Sequence, residues 1–244
     1  MRDRFFVAGV HALGDRVAFA ADDAHKLRSV LRKRSGDRVE VVDSGGAAYT
    51  ALLDIGERAV AALLEASIDR PTAESRLRVT LAQALPKGQK MDFVIEKATE
   101  LGVHAIVPVR SLRVIATETG DAKRERWQRI ARSAAQQSGR SAVPEIGPIV
   151  TWDALLTTFP DYDRVYVPWE LAPPAALRDV LAGSVHDAER VLLAIGPEGG
   201  FAADEIARAT AAGATVISLG RRILRTETAA LVLLSALAYE RGDI

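Results

Sequence analysis

A chain of 244 residues without a single cysteine has no disulfide framework, no thiolate metal site and no cysteine nucleophile. It shows no secretory pattern and no apolar run long enough to cross a bilayer, so a soluble cytoplasmic protein is expected. Its 32 basic and 32 acidic side chains cancel, which argues against a generic nucleic-acid coat while leaving room for local clusters.

The first seventy or so residues read as short strands around one helix. "RFFVAG" and "RVAFA" lead to "DDAHKLRSVLRK", with Asp22 or Asp23 placed to cap the helix; "DRVEVVD" and "AAYTALLDIG" follow. Strands this short, punctuated by Gly36, Gly45, Gly46 and Gly56, suit a small β-barrel better than a parallel sheet, whose crossovers need a dozen residues or more. The polar stretch 69–75, "DRPTAES", reads as a linker, giving domains of 1–71 and 72–244.

From Leu77 the rhythm becomes strand, helix, strand, helix. "LRVTLAQAL", "AIVPV", "RVYVPW", "VLLAIG" and "TVISLG" are apolar strand candidates. Between and after them lie "KMDFVIEKATELG", "AKRERWQRIARSAAQQ", "ADEIARATAAG" and "TAALVLLSALAYERG" as helices. Such alternation predicts an α/β domain with a mostly parallel sheet. The last helix is apolar nearly all round, with Leu231, Val232, Leu233, Leu234 and Leu237, so it must be covered on several sides. A second copy packed on it is the reading preferred over burial within the domain.

In a parallel sheet the ligand crevice lies beyond the carboxyl ends of the strands. Two loops stand out there: "GPEGG" after Ile195 and "GRRILRTE" after Leu219. Gly196, Gly199 and Gly200 let the main chain approach a ligand closely or adopt positive φ. The first loop is neither a G-x-G-x-x-G turn nor a Gly-Lys-Ser/Thr phosphate loop. Lacking lysine and containing Glu198, it suits a neutral or cationic adenosyl group better than a pyrophosphate. Taken alone, it is equally well explained as a tight strand-to-helix turn in which Glu198 complements the helix dipole. The second loop sets Arg221, Arg222 and Arg225 beside a helix start that Thr226 would cap; arginine forks match phosphate or developing negative charge.

Basic residues gather in two further places. Residues 1–40 hold nine basic and six acidic side chains, among them Arg2, Arg4, Lys26, Arg28, Arg32, Lys33 and Arg34. In residues 121–140, helical projection puts Trp127, Ile130, Ala131 and Ala134 on one face and Arg126, Arg129 and Arg132 on the other, with Arg140 just beyond. An arginine stripe is usually only a solvated face, but these sets are candidates for contact with RNA phosphates. His11, His25, His104 and His186 show no metal-ligand spacing, and no metal is expected. Neither Ser138 nor Ser141 sits in a G-x-S-x-G elbow.

"AIGPEGGF" followed by "LGRRILRTETA", with "KMDFVIEKATELGV", "RWQRIARSAAQQSGR" and "VPEI" upstream, resembles the bacterial 16S rRNA uridine N3-methyltransferase family, in the SPOUT class of knotted methyltransferases. The resemblance covers nearly the whole chain. It implies S-adenosylmethionine as methyl donor, 16S rRNA in the small subunit as substrate, a homodimer, an amino-terminal PUA-like domain and a carboxyl-terminal trefoil knot. It also implies a cofactor pocket made by Ile195, Gly196, Pro197, Glu198, Gly199 and Gly200 from one loop. The other wall would be Leu219, Gly220, Ile223, Leu224, Arg225, Thr226, Glu227, Thr228 and Ala229. Ala202 stands where relatives often carry a helix-capping serine.

The implied chemistry fits the residue inventory. Methylating carbon 5 of a pyrimidine usually needs a cysteine adduct, whereas a ring nitrogen needs only loss of its proton and in-line approach to the methyl. Arg225, with Arg222, is expected to stabilise negative charge developing on the uracil carbonyls. Three other readings stay open: a SPOUT enzyme acting on a ribose 2′-hydroxyl, a ribosome-assembly RNA-binding protein without transfer activity, and a nicotinamide oxidoreductase. The last is weakened by the missing G-x-G-x-x-G.

Overall fold

The computed structural model describes residues 3–69, 74–111, 120–173, 177–182 and 185–244. Arg2 and most of the expected linker, 70–73, lie outside the described residues. The chain divides into two compact units, Met1–Glu74 with Ala135–Ala142, and Ser75–Ala134 with Val143–Ile244.

The first unit holds β1 (Arg4–Phe6), β2 (Arg16–Ala18), α1 (Ala21–His25, continued by a π turn over Lys26–Val30), β3 (Arg38–Val42), β4 (Ala48–Ile55) and β5 (Val60–Ser67). The sheet order is β1-β3-β4-β5-β2, with β1 parallel to β3 and the other neighbours antiparallel. Alternation along β4 turns Tyr49, Ala51 and Leu53 inward, where they meet Val60, Ala62 and Leu64 of β5, Phe5 of β1 and Leu27 of the π turn. β5 is a strand beyond those expected from the sequence, because the alanines of "VAALLEAS" blur the period.

Asp22 and Asp23 do not cap the helix. The N-cap is Ala20, both acids fall in the first turn, and the buried Asp23 accepts a 3.0 Å hydrogen bond from Gln136 Nε2. Two arginines are interior to this unit. Arg4 pairs with Glu40 and donates to the carbonyls of Gly139 and Arg140. Arg140, 3% exposed, pairs with Glu74 at 2.5 Å, and Glu74 also accepts the amides of Ser141 and Ala142.

The second unit contains β6 (Arg78–Ala84), α2 (Lys90–Glu100), β7 (Ala105–Arg110), α3 (Asp121–Ser138, belonging to this unit as far as Ala134), β8 (Glu145–Ile146) and β9 (Val150–Thr151). It continues with α4 (Trp152–Leu156), β10 (Arg164–Pro168), α5 (Leu177–Ala182), β11 (Arg190–Ile195), α6 (Ala203–Ala211), β12 (Thr215–Ile217) and α7 (Thr226–Arg241). The strands run β12-β10-β11-β6-β7-β8, with β9 also on β7, and every pair is parallel.

Because β6 and β11 are central and covered on both faces, both are buried along nearly their whole length, β11 as a continuous apolar run and β6 with Thr80 and Gln83 among its apolar residues. Alternation divides β11 between two cores. Val191, Leu193 and Ile195 face the cluster holding Ile95 of α2, Trp127 of α3 and Leu233 of α7. Leu192 and Ala194 face Trp152, Phe159, Phe201 and Ile206. In α7, Ala230, Leu233, Leu234 and Leu237 are buried, whereas Val232 is 37% and Tyr239 73% exposed, so within one chain part of its apolar circumference stays uncovered. Among the described residues no helix is long and apolar enough to cross a membrane, and no group of three or more His, Asp or Glu could hold a metal.

Candidate active site

Parallel strands deliver their carboxyl ends to one side of the sheet, so the segments after β10, β11 and β12 converge. They line a cavity of about 580 Å³ made by residues 168–170, 195–201 and 218–226, with Lys90 and Ala229. That volume lies within the ~300–1,000 Å³ usual for sites that enclose a small organic ligand. In the sheet β10 sits between β11 and β12, so its short loop stands between the glycine loop and the arginine loop.

The glycine loop is shaped by two glycines. Gly200 has φ +66° and its amide closes a turn onto Pro197 O at 2.9 Å. A Cβ there would lie 2.5 Å from Glu170 Oε1; a Cβ at Gly196 would press on the Phe201 ring at 3.1 Å. Phe201 anchors the loop's end, its ring 4.6 Å from that of Trp152 in the core. Ala202 starts α6 without a side-chain acceptor, yet its amide is satisfied by Glu205 Oε2 at 2.9 Å, so half a capping box survives the missing serine.

Thr226 does not cap α7, whose N-cap is Arg225. Its hydroxyl instead donates to Gly196 O at 2.5 Å, and it accepts from Nε2 of the fully buried Gln83 at 2.8 Å. One buried chain of hydrogen bonds thus ties β6, the glycine loop and the start of α7 together. Arg221, Arg222 and Arg225 all line the cavity and are exposed to solvent.

Lys90, at the start of α2, sits between two carboxylates, 3.5 Å from Glu198 and 3.4 Å from Glu227. Partial burial works against ionisation of Glu198, but hydrogen bonds from Lys87 N, at 2.9 Å, and from its own amide, with the Lys90 charge, outweigh it. Its carboxyl is held below the usual range.

Of the residues expected to hold a cofactor, the structure brings Ile195, Gly196, Pro197, Glu198, Gly199 and Gly200 to one cavity with Leu219, Gly220, Ile223, Leu224, Arg225, Thr226 and Ala229; Arg222 joins them. Glu227 and Thr228 are not among its lining residues: Glu227 turns to Lys90 and Thr228 to solvent. Lys90, Pro168, Trp169, Glu170, Phe201 and Ser218 line the cavity as well, beyond the residues expected from the sequence. The signal for Trp169 and Glu170 was available in "VPWE", which follows an apolar strand as the other two loops do.

The expected phosphate contacts separate by burial. Arg4 and Arg140 are interior and ion-paired. Lys26 bonds Gln136, Arg28 the carbonyl of Gly56, and Lys33 pairs with Asp3. Arg32 and Arg34 are exposed in the first unit. In the second, Arg126 is exposed but pairs with Asp92, Arg129 is exposed and Arg132 is half-buried.

Residues 73–238 match the RNA methyltransferase domain. The ribosomal RNA small subunit methyltransferase E of Bacillus subtilis is 31% identical over 236 residues, 93% of this chain and 92% of its own. That of Synechocystis is 35% identical over 241 residues, covering 96% and 77%. The chain belongs to the ribosomal RNA small subunit methyltransferase E family. Membership bears out the resemblance carried by the glycine and arginine motifs. Among solved structures, a member of this family from Neisseria gonorrhoeae bound to S-adenosyl methionine superposes with a TM-score of 0.87 at 33% identity, covering 98% of this chain and 97% of its own.

Proposed function

We propose that the protein transfers the methyl group of S-adenosylmethionine to N3 of a uridine in 16S rRNA of the small ribosomal subunit. The observation that carries this reading is the closure of a lysine-free glycine loop and a three-arginine loop around one cavity, joined by Thr226. The residues fit the cofactor. The glycine loop offers main chain without bulk, and the buried Nε1 of Trp169, a residue that lines the cavity, lacks a hydrogen-bond partner. When bound, S-adenosylmethionine supplies a methyl group on a positively charged sulfur.

In this reading Ile195 to Gly200 and Leu219 to Ala229 hold the cofactor within a deep trefoil knot of the SPOUT type. Arg225, with Arg222, takes the negative charge that builds on the uracil carbonyls as N3 loses its proton. Residues 1–71 serve as a PUA-like RNA-binding barrel and 72–244 as the catalytic domain. Arg32 and Arg34 in the first, with Arg129 and Arg126 in the second, contact phosphates; Arg4 and Arg140 drop out because each is buried against a carboxylate. A second copy covers the exposed apolar residues of α7, Val232 and Tyr239, and the homodimer works in the cytoplasm without a metal.

The decisive test is tritiated-methyl transfer to small subunits purified from a strain lacking the gene, followed by nucleoside mass spectrometry. N3-methyluridine is expected, with far less product on short free RNA, because an unstacked uridine must be presented by folded RNA. Label on a ribose oxygen, or none at all, would overturn the reading.

A further inference from the structure

Methyl transfer to N3 releases a proton, and the cavity narrows the choice of acceptor. The ionisable side chains lining it are Lys90, Glu170, Glu198, Arg221, Arg222 and Arg225. Arginines do not give up their protons in proteins and accept none. Lys90 is engaged by two carboxylates, those of Glu198 and Glu227. Glu198 is engaged by the Lys87 amide and by Lys90. Among the described residues Glu170 is the lining carboxylate with no hydrogen bond or ion pair to another side chain.

Its position matches the task. Glu170 follows β10, the strand between those that feed the two loops, so it stands between the glycine wall and the arginines. Its carboxylate lies against Gly200 where a Cβ would stand, 2.5 Å and 3.0 Å from the two oxygens, so the absent side chain at 200 makes room for it. Resting on the transfer reaction proposed above, we infer that Glu170 accepts the proton of uridine N3. The N3–H bond breaks and its electron pair forms the N3–CH₃ bond. The carbon–sulfur bond of the methyl donor breaks with its pair staying on sulfur, and the proton ends on the Glu170 carboxylate. A neutral uracil, a sulfonium cation and a carboxylate anion become a neutral methyluracil, a thioether and a carboxylic acid. The reacting groups are therefore neutral in sum before and after, and no net charge has to be created in the cavity.

The test uses the full-length protein and Glu170→Gln, which keeps shape and removes the basic oxygen. S-adenosylmethionine affinity by calorimetry is expected to stay within about threefold of the parent. Single-turnover transfer to small subunits is expected to fall ~10²–10⁴-fold, the usual contribution of general-base catalysis. A second variant, Glu170→Ala, should fall equally and recover in part with added formate, a response that a purely structural role would not produce. Transfer by Glu170→Gln at the parental rate would overturn the inference. So would a loss of cofactor affinity matching the loss of rate, which would make Glu170 a cofactor ligand, and so would a dead Glu170→Ala that formate fails to revive. Failure of the transfer reading itself looks different: the unaltered protein would yield no N3-methyluridine.

Discussion

Thr226 Oγ1 donates to the carbonyl oxygen of Gly196 at 2.5 Å, joining the first turn of α7 to the glycine loop 30 residues earlier. Gln83, wholly buried on β6, donates to the same hydroxyl at 2.8 Å. The two walls of the cavity are therefore held at a set distance by one hydroxyl. Thr226→Val keeps the shape and removes it, depriving Gly196 O of this hydrogen bond and leaving the buried Gln83 Nε2 with its bond to Ala84 O alone, at a cost of ~1–3 kcal/mol. Calorimetry should find S-adenosylmethionine binding about tenfold weaker in Thr226→Val and near parental in Thr226→Ser. Equal affinity in all three proteins would show that the loops hold their spacing without the hydroxyl.

Gly200 and Gly213 separate backbone strain from the filling of the site. Both have positive φ, +66° and +96°, but a Cβ at 200 meets Glu170 at 2.5 Å whereas one at 213 meets nothing within 4 Å. Each alanine variant should lose roughly 1–3 kcal/mol of stability from the left-handed conformation alone. Only Gly200→Ala should also lose methyl transfer, and thermal melts beside single-turnover rates will show whether the two losses part company.

Arg225 lines the cavity beside Thr226 and is exposed to solvent. If it stabilises charge on the uracil rather than building the pocket, Arg225→Ala should slow transfer ~10²–10³-fold while sparing cofactor affinity. Comparable loss of both would assign it to the cofactor instead.

The Glu74–Arg140 pair makes the first unit sensitive to acid. Burial tends to raise the Glu74 carboxyl, but the hydrogen bonds and charge of Arg140 and the amides of Ser141 and Ala142 outweigh it and hold it below its ordinary value of 4.5. A depressed folded-state value stabilises the fold fully above about 4.5, and that contribution disappears as pH falls through the folded-state value. Urea unfolding followed from pH 7 downward should show stability falling below about pH 4.5 in the parent and a flatter profile in Glu74→Gln. Glu74→Ala at pH 7 should cost ~3–5 kcal/mol, because it removes the carboxylate that the buried Arg140 charge is paired with. Identical pH profiles for parent and Glu74→Gln would remove Glu74 from the acid response.

Surface charge is expected to act differently. Arg32 and Arg34 are exposed, and reversing both should weaken binding to small subunits and reduce its salt dependence without lowering the melting temperature. Arg4→Ala should instead lower the melting temperature, since Arg4 is buried against Glu40. A titration at several salt concentrations, paired with a thermal melt, distinguishes the two behaviours.

What the sequence determined by itself was the alternation of strand and helix from Leu77 onward and the two unusual loops at strand ends. Both are local: apolar runs fit a sheet covered on two faces, and glycines and arginines between strand and helix are visible as composition. Only the tertiary structure decided which residues face one another. It moved Thr226 from a capping role to a bridge, because α7 starts one residue earlier than expected, with Arg225 as its N-cap, and the Thr226 hydroxyl meets the carbonyl of Gly196. It withdrew Arg4 and Arg140 from the surface, because a charge is accepted in the interior when a carboxylate pairs with it, and nothing in local sequence announces that partner. It also brought Glu170 to the cavity, since β10 enters the sheet between β11 and β12, out of chain order. Strand order is set by packing across the whole sheet, so a loop that looked ordinary in the chain came to stand between the two that did not.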